Sequence, residues 1–473
     1  MNYKGILFFL GIYSILVSFF SILNIFYSIY FDFIIGLNGY LITFFISLIL
    51  GLLFCYIGHK HKKDISLTDQ IIFIFLSFIL IPFLISIPFY FSIYSIDLLN
   101  SYFESVSGFT ATGFSIIHNI DDIDEPLVLW RSSSQWMGGL LFLLATIGTI
   151  GSRQIRIKPA YLISGGASGR NFYNNFNYNF IKIILIYLIS TIFIIFLYSL
   201  IDLRLLDSFN LAFTSISSGG FIPDKSLSNI LKNDLQVFIF SITLLFPIFN
   251  FFLLHDIITR QFSFRKNQED IHLGSLIALL TILLYFFIIP EEGFFNVLLA
   301  IISSLSTSGI SNYSSNLDLS LFFILLTLVG GSLISMSSGF KYTRIYILLK
   351  VSYQEIYRLV KPINVIDKNL FNSEVKIDDQ DVKIAFLVFI TLIISIFILS
   401  SILSLDYLTF ENSFKLSLLT LTNTVSSTLY GMNNLSFLDL NNFTKMSLII
   451  FMILGKIEII AVIYLIKRLI FKD

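Results

Sequence analysis

The sequence predicts an all-α polytopic membrane protein, with two N-terminal transmembrane helices followed by four repeats of span, half-helix, small-residue tract and span. Three observations carry that expectation. Of the 473 residues, 56% are hydrophobic and 13% charged, against roughly 25% charged in soluble domains; with a mean hydropathy of +0.86, the chain cannot cover a water-facing surface and must be solvated by lipid. Ten segments are apolar for about the 20 residues that a bilayer-crossing helix needs: 5–30, 37–58, 71–95, 127–150, 181–202, 236–258, 274–290, 320–349, 383–404 and 444–470. Between these spans a tract rich in Ser, Thr and Gly recurs in phase.

The first span, "MNYKGILFFLGIYSILVSFFSILNIFYSIY", lacks a small-residue cleavage site after a short apolar core and reads as a retained membrane helix. The second completes an N-terminal pair, residues 1–64. The repeats then follow at 65–170, 171–270, 271–370 and 371–473. The first contains "YFESVSGFTATGFSII" (Tyr102–Ile117), too polar for a comfortable membrane helix and too apolar for a solvated loop. Its counterparts are "LAFTSISSGGFIP" (Leu211–Pro223), "AIISSLSTSGIS" (Ala300–Ser311) and "LLTLTNTVSSTLYG" (Leu418–Gly431). Each is preceded by a segment able to form a short half-helix: "DLLNSYFESVSGF", "LLDSFNLAFTSIS", "EGFFNVLLAIISSL" and "FENSFKLSLLTLT". One such tract between membrane helices is ordinarily a loop, and small residues in spans often serve only packing. Four in phase, each with its half-helix, describe a repeated re-entrant hairpin.

Charge sets the orientation. Twenty-three of the thirty Lys and Arg fall at alternate ends of the spans, including Lys60, Lys62 and Lys63, Arg153, Arg156 and Lys158, Arg260 and Arg265, and the 341–383 tract. The loops on the opposite side, "IIHNIDDIDEPL", "SNYSSNLDLS" and "GMNNLSFLDLNN", contain no Lys or Arg; Lys225 and Lys232 depart from the pattern. Both termini are therefore expected in the cytoplasm, with the four tracts opening to the other side. Thirty acidic residues balance thirty basic ones, so nothing points to nucleic acid. The single Cys55 excludes an internal disulfide, and five scattered histidines offer no metal-ligand spacing.

Non-helical backbone at membrane depth is tolerated where it is buried in protein or lines a water-filled path. Four such tracts around one axis can present rings of carbonyls that replace a cation's hydration shell. Gly permits the left-handed angles that point successive carbonyls one way, and Ser and Thr hydroxyls brace the loop. Half-helices ending near the membrane centre aim partly negative C-termini at the path, which favours a cation over an anion.

"YFESVSGFTATGFS", "WRSSSQWMGG" (Trp130–Gly139) and "GKIE" (Gly455–Glu458) resemble the first filter signature, the start of the following helix and the last-helix motif of the TrkH/TrkG–KtrB superfamily of potassium uptake proteins. The two extra N-terminal helices fit the TrkH type better than the shorter KtrB type. The resemblance implies four membrane–pore-helix–membrane repeats around a pseudo-fourfold pore, each protomer of a homodimer with its own pore. It implies K⁺ as the transported ion, no bound organic cofactor, a bacterial or archaeal plasma membrane, and a cytoplasmic TrkA-type nucleotide-binding ring that gates uptake. "SGGASG" (Ser164–Gly169) lacks the strand–turn–helix context of a dinucleotide fingerprint, so nucleotide control would come from that partner.

Carried over by position, the filter residues are Thr110, Ala111, Thr112 and Gly113; Ser218, Gly219 and Gly220; Thr307, Ser308 and Gly309; and Thr424, Val425 and Ser426. The carbonyls of Gly113, Gly220, Gly309 and Ser426 would hold K⁺. In the fourth repeat Ser426 stands where the family has Gly, with Gly431 as the alternative if the register slips. A filter Ser in plant relatives goes with sodium permeation, so a sodium-permeable or Na⁺- or H⁺-coupled transporter of the same fold is the alternative function. The family's broken helix below the filter corresponds to "GGSLISMSSGFK" (Gly330–Lys341), with Gly330, Gly331, Ser335, Ser338 and Gly339 as gating residues in a loop made stiffer by Ser. Lys456 stands at the family's pore-facing Arg and is a functional candidate, since a mid-membrane cation is costly. A structural salt bridge from Lys456 to Glu458 is its bland alternative, disfavoured because residues two apart on a helix diverge. A polytopic membrane enzyme would need clustered Asp, His or Arg at one face; the outer cluster "DDIDE" (Asp121–Glu125) reads better as a cation-attracting vestibule.

Overall fold

The structure, a computed structural model, describes residues 2–34, 36–61, 67–91, 96–117, 119–150, 172–258, 267–313, 317–360, 369–371, 377–406, 408–432, 435–458 and 461. The sequences Ser152–Pro159 and Ser164–Gly169 lie outside them.

The chain is all-helical. An N-terminal hairpin, α1 (Tyr3–Tyr30) and α2 (Leu37–Gly58), packs closely through small residues: a methyl on Gly11 would come within 2.8 Å of the Gly51 carbonyl oxygen. The first repeat is α3 (Leu67–Tyr90), the half-helix α4 (Leu98–Phe109) and α5 (Glu125–Ile150). The second runs α6 (Phe172–Leu200), half-helix α7 (Leu205–Ser217), a single turn α8 (Leu227–Ile230), α9 (Asp234–Thr243) and α10 (Leu253–Ile258). The third has α11 (Gln268–Leu283, extended by a π-turn to Ile288), half-helix α12 (Phe294–Leu305), α13 (Ser320–Val329) and α14 (Tyr342–Val360). The fourth has α15 (Asp379–Ser404), half-helix α16 (Phe410–Leu421) and α17 (Asn442–Ile457). All four expected half-helices are present.

Six helices are long and apolar enough to cross a membrane among the described residues, at Tyr3–Tyr30, Leu37–His61, Thr68–Tyr90, Ile181–Leu200, Gln268–Ile288 and Asp379–Ser404. Polarity is inverted relative to a soluble protein. Ile192, Phe286 and Phe287 are among many large apolar side chains left exposed, while Ser and Thr of every half-helix are buried. Lipid solvates the first set and protein encloses the second.

One expected span differs from the sequence reading, and a second is broken where the family resemblance expects a break. The 236–258 span is interrupted between α9 and α10, because Pro247 has no N–H to continue the helix. Around it the bonds tighten to three-residue steps, Leu245 N–H to the Ile242 oxygen (3.1 Å) and Ile248 N–H to that of Leu245 (3.1 Å). The 320–349 span breaks between α13 and α14. Lys341, counted above with a cytoplasmic loop, is instead buried at the end of that break.

Candidate functional site

Each half-helix ends in the same way. Ala111, Ser218, Thr307 and Asn423 take left-handed angles, with φ of 59°, 61°, 63° and 48°. Their N–H groups bond three residues back, to the oxygens of Gly108, Ser215, Ser304 and Thr420. The next N–H in each, of Thr112, Gly219, Ser308 and Thr424, reaches five back, to Ser107, Thr214, Ser303 and Leu419, at 2.8–3.0 Å. This pair of bonds is the Schellman termination, ordinarily made by Gly. Here four non-glycine residues occupy it at a cost of order 1 kcal/mol each. Hydroxyl pairs brace three of the turns: Thr110 with Thr112 (2.7 Å), Ser306 with Ser308 (3.1 Å) and Thr422 with Thr424 (3.0 Å).

These bonds fix the alignment of the four tracts. Gly113, Gly220, Gly309 and Val425 hold the third equivalent position. In this alignment Ser426 lies one residue further on, level with Phe114, Phe221 and Ile310. Gly431, the alternative, caps a separate turn beside Lys415 and Ser320.

The tracts meet one another. Ser218 donates to the Ser306 carbonyl, and its hydroxyl pairs with that of Thr307 at 3.0 Å. The Asn423 amide donates to Thr112 Oγ1 (3.0 Å) and to the Met452 carbonyl (2.9 Å), and Ser427 donates to that of Gly309 (2.9 Å). A methyl on Gly113 would lie 2.8 Å from Gly220 Cα; one on Gly220 would lie 2.5 Å from Val425 Cβ. All the carried-over filter residues thus fall in or beside one convergence of the four hairpins.

The break in the third repeat abuts it. Gly330 and Gly339 are left-handed (φ 63° and 86°), Gly331 N–H bonds to Ser337 Oγ at 2.9 Å, and the Ser335 and Ser337 hydroxyls pair at 2.9 Å. Ser338 N–H donates to Thr307 Oγ1 at 3.0 Å, joining the break to the buried start of the third tract. Lys456, also buried, donates to Ser338 Oγ at 3.3 Å and sits 4.5 Å from the centre of the Phe142 ring. Lys341 shares that ring at 5.7 Å and donates to Ser335 Oγ at 2.9 Å. Glu458 pairs with Arg344 at 2.9 Å, which leaves Lys456 to the hydroxyl and the aromatic face.

Three supports were not singled out from the sequence. Asn423 links the fourth tract to the first. Gln135 lies against Gly219; with its amide turned to satisfy both ends, it accepts from Gly220 N–H (3.1 Å) and donates to Thr214 Oγ1 (3.1 Å). Buried Glu104 and Arg131 pair at 2.9 Å, and Glu104 accepts from Ile116 N–H at 3.0 Å, anchoring the exit of the first tract. Arg131 and Gln135 lie within the "WRSSSQWMGG" motif, so polarity inside an apolar span was the available signal.

No protein-family model matches the chain. It is 28% identical over 459 residues to a protein of Methanocaldococcus jannaschii described as an uncharacterized cation transporter, covering 91% of this chain and 90% of that one. It is 25% identical over 447 residues to the Trk system potassium uptake protein TrkG of Escherichia coli, with 90% of each covered. The crystal structure of the potassium transporter TrkH from Vibrio parahaemolyticus superposes with a TM-score of 0.82 at 22% identity, over 98% of both chains. These relatives are ion transporters and not enzymes, in agreement with the reading against a membrane enzyme. In sequence and fold alike the chain is TrkH-like, a homologue of the TrkH and TrkG proteins.

Proposed function

We propose that this chain mediates gated potassium uptake across a plasma membrane, with K⁺ coordinated by the carbonyls of four tracts at a filter built from Thr110–Gly113, Ser218–Gly220, Thr307–Gly309 and Asn423–Val425. The supporting observation is the convergence of four identically terminated half-helices, whose C-terminal ends favour a cation and whose intervening backbone is of the kind tolerated where it is buried or lines a path. The repeats bounded at 65–170, 171–270, 271–370 and 371–473 surround this filter with pseudo-fourfold arrangement. The break at Gly330–Lys341 is the gate, and Lys456 beside it is an electrostatic barrier. Both termini face the cytoplasm, the assembly is a homodimer, and a TrkA-type nucleotide-binding ring docks on the basic cytoplasmic face.

Val425 is the observation that favours a second reading, sodium permeation, since one of four equivalent positions carries a branched side chain in place of Gly. Rubidium and sodium flux through the purified chain in liposomes tests both. Rubidium flux well above sodium flux supports potassium uptake; equal fluxes support the second reading; no cation flux, with or without a ring subunit and nucleotide, overturns both. Copurification with a coexpressed ring tests the partner.

A further inference from the structure

Two pore-side helices are broken, and the breaks are bonded to each other. Ser332 N–H donates to the Ile248 oxygen (2.8 Å), Ser337 N–H to that of Pro247 (3.0 Å), and Phe251 N–H to that of Ile334 (2.9 Å). Each break thus supplies partners that the other lost with its helix, as buried backbone requires. Two further N–H groups are satisfied from a third element. Leu333 N–H donates to Glu269 Oε1 at 3.0 Å, and Asn250 N–H donates to Asp270 Oδ1 at 2.8 Å. Glu269 also accepts from the hydroxyl of Thr343, in the first turn of α14. Adjacent carboxylates at the start of α11 therefore clasp both breaks, one each. None of these bonds reaches the four tracts; Ser338 N–H to Thr307 Oγ1 ties the third-repeat break to the third tract.

We propose that Glu269 and Asp270 are positioning residues of the gate, holding the breaks at 244–252 and 330–341 as one unit that must release both carboxylates to open. This rests on the reading of 330–341 as the gate. A carboxylate accepting from backbone N–H is among the stronger hydrogen bonds. Its loss shifts the closed–open balance without altering what the filter recognises.

The test is rubidium and sodium flux in liposomes for purified full-length Glu269→Ala, Glu269→Gln, Asp270→Asn and a loosened loop, Ser335→Gly with Ser337→Gly. Glu269→Ala should raise the maximal rubidium rate about tenfold. Glu269→Gln, which keeps an oxygen acceptor, should restore most of the closed behaviour. Asp270→Asn should behave like Glu269→Gln. In all of them the half-saturating rubidium concentration and the rubidium-to-sodium ratio should stay at wild-type values. If the Ala variant does not fold, Thr343→Ala removes one of the same bonds from the other side and carries the same expected sign. Unchanged rates in the folded carboxylate variants beside an altered loosened loop would overturn the positioning role and leave the gate standing. An unaltered loosened loop would overturn the gate and the proposal with it. A raised half-saturating concentration at unchanged maximal rate would make the carboxylates ion ligands, and that too overturns it.

Discussion

The first and third tracts differ from the second and fourth in one respect. All four leave their half-helices through the same left-handed residue and the same pair of bonds. Two residues later, Gly113 and Gly309 are left-handed again (φ 84° and 70°), whereas Gly220 and Val425 are not. Glycine at the first pair is a backbone requirement. At the second pair it is a matter of space: Gly220 is bare because Val425 fills the gap beside it, with its Cβ 2.5 Å from where a methyl on Gly220 would stand. The tracts are therefore alike in how they begin and alternate in how they continue. A branched side chain is admitted at the fourth position because that position asks nothing special of φ.

The alternation can be broken most severely at a left-handed glycine. Gly113→Asp or Gly309→Asp should abolish complementation of a potassium-uptake-deficient bacterium while membrane insertion, followed by immunoblot, persists. Normal growth of either strain would sink the filter assignment. Next in size is Lys456→Ala, which removes a charge beside the third-repeat break. A unit charge at about 5 Å opposes a passing cation by roughly 3 kcal/mol at an effective dielectric near 20. Lys341 shares the Phe142 ring and retains part of that barrier. The expected result is a several-fold rise in both rubidium and sodium flux at unchanged ratio; a changed ratio would show that the lysine is more than a barrier.

Val425→Gly should change the ratio itself, favouring rubidium over sodium by about threefold to tenfold, which corresponds to roughly 1 kcal/mol. Ser426→Gly should leave the ratio where it was. The reverse pattern, measured in one liposome assay, would restore Ser426 to the fourth position. The smallest effect is a coupling. Gly220→Ala should lower flux, and Val425→Ala should restore part of it, with an interaction of about 1 kcal/mol. Gly113→Ala should show no such rescue, because its defect lies in φ. Rescue of both glycines alike would erase the distinction between the two pairs of tracts.

Much of this was legible in the sequence. Span length, the four half-helices and the small-residue tracts follow from local composition, and a helix in lipid has few alternatives because its own backbone must be satisfied within it. The break in the third repeat was expected at "GGSLISMSSGFK" through the family resemblance. The break in the second was not drawn from "LLFPIFN", although Pro247 was visible there, since a proline in a membrane span is often tolerated without interruption.

The helical plan, the four half-helices and the positions of the tracts were thus set by the sequence itself, through interactions that act within a few residues. Only the tertiary structure decided that Val425 rather than Ser426 is level with the three glycines, because register is counted from where each half-helix stops, and that depends on which buried N–H groups find partners. It alone turned Lys456 toward Ser338 and Phe142 and gave Glu458 to Arg344. It also brought Glu269 and Asp270 to two breaks that follow or precede them at different distances along the chain. These pairings join residues from separate helices, and no periodicity along one helix encodes which neighbour it will meet.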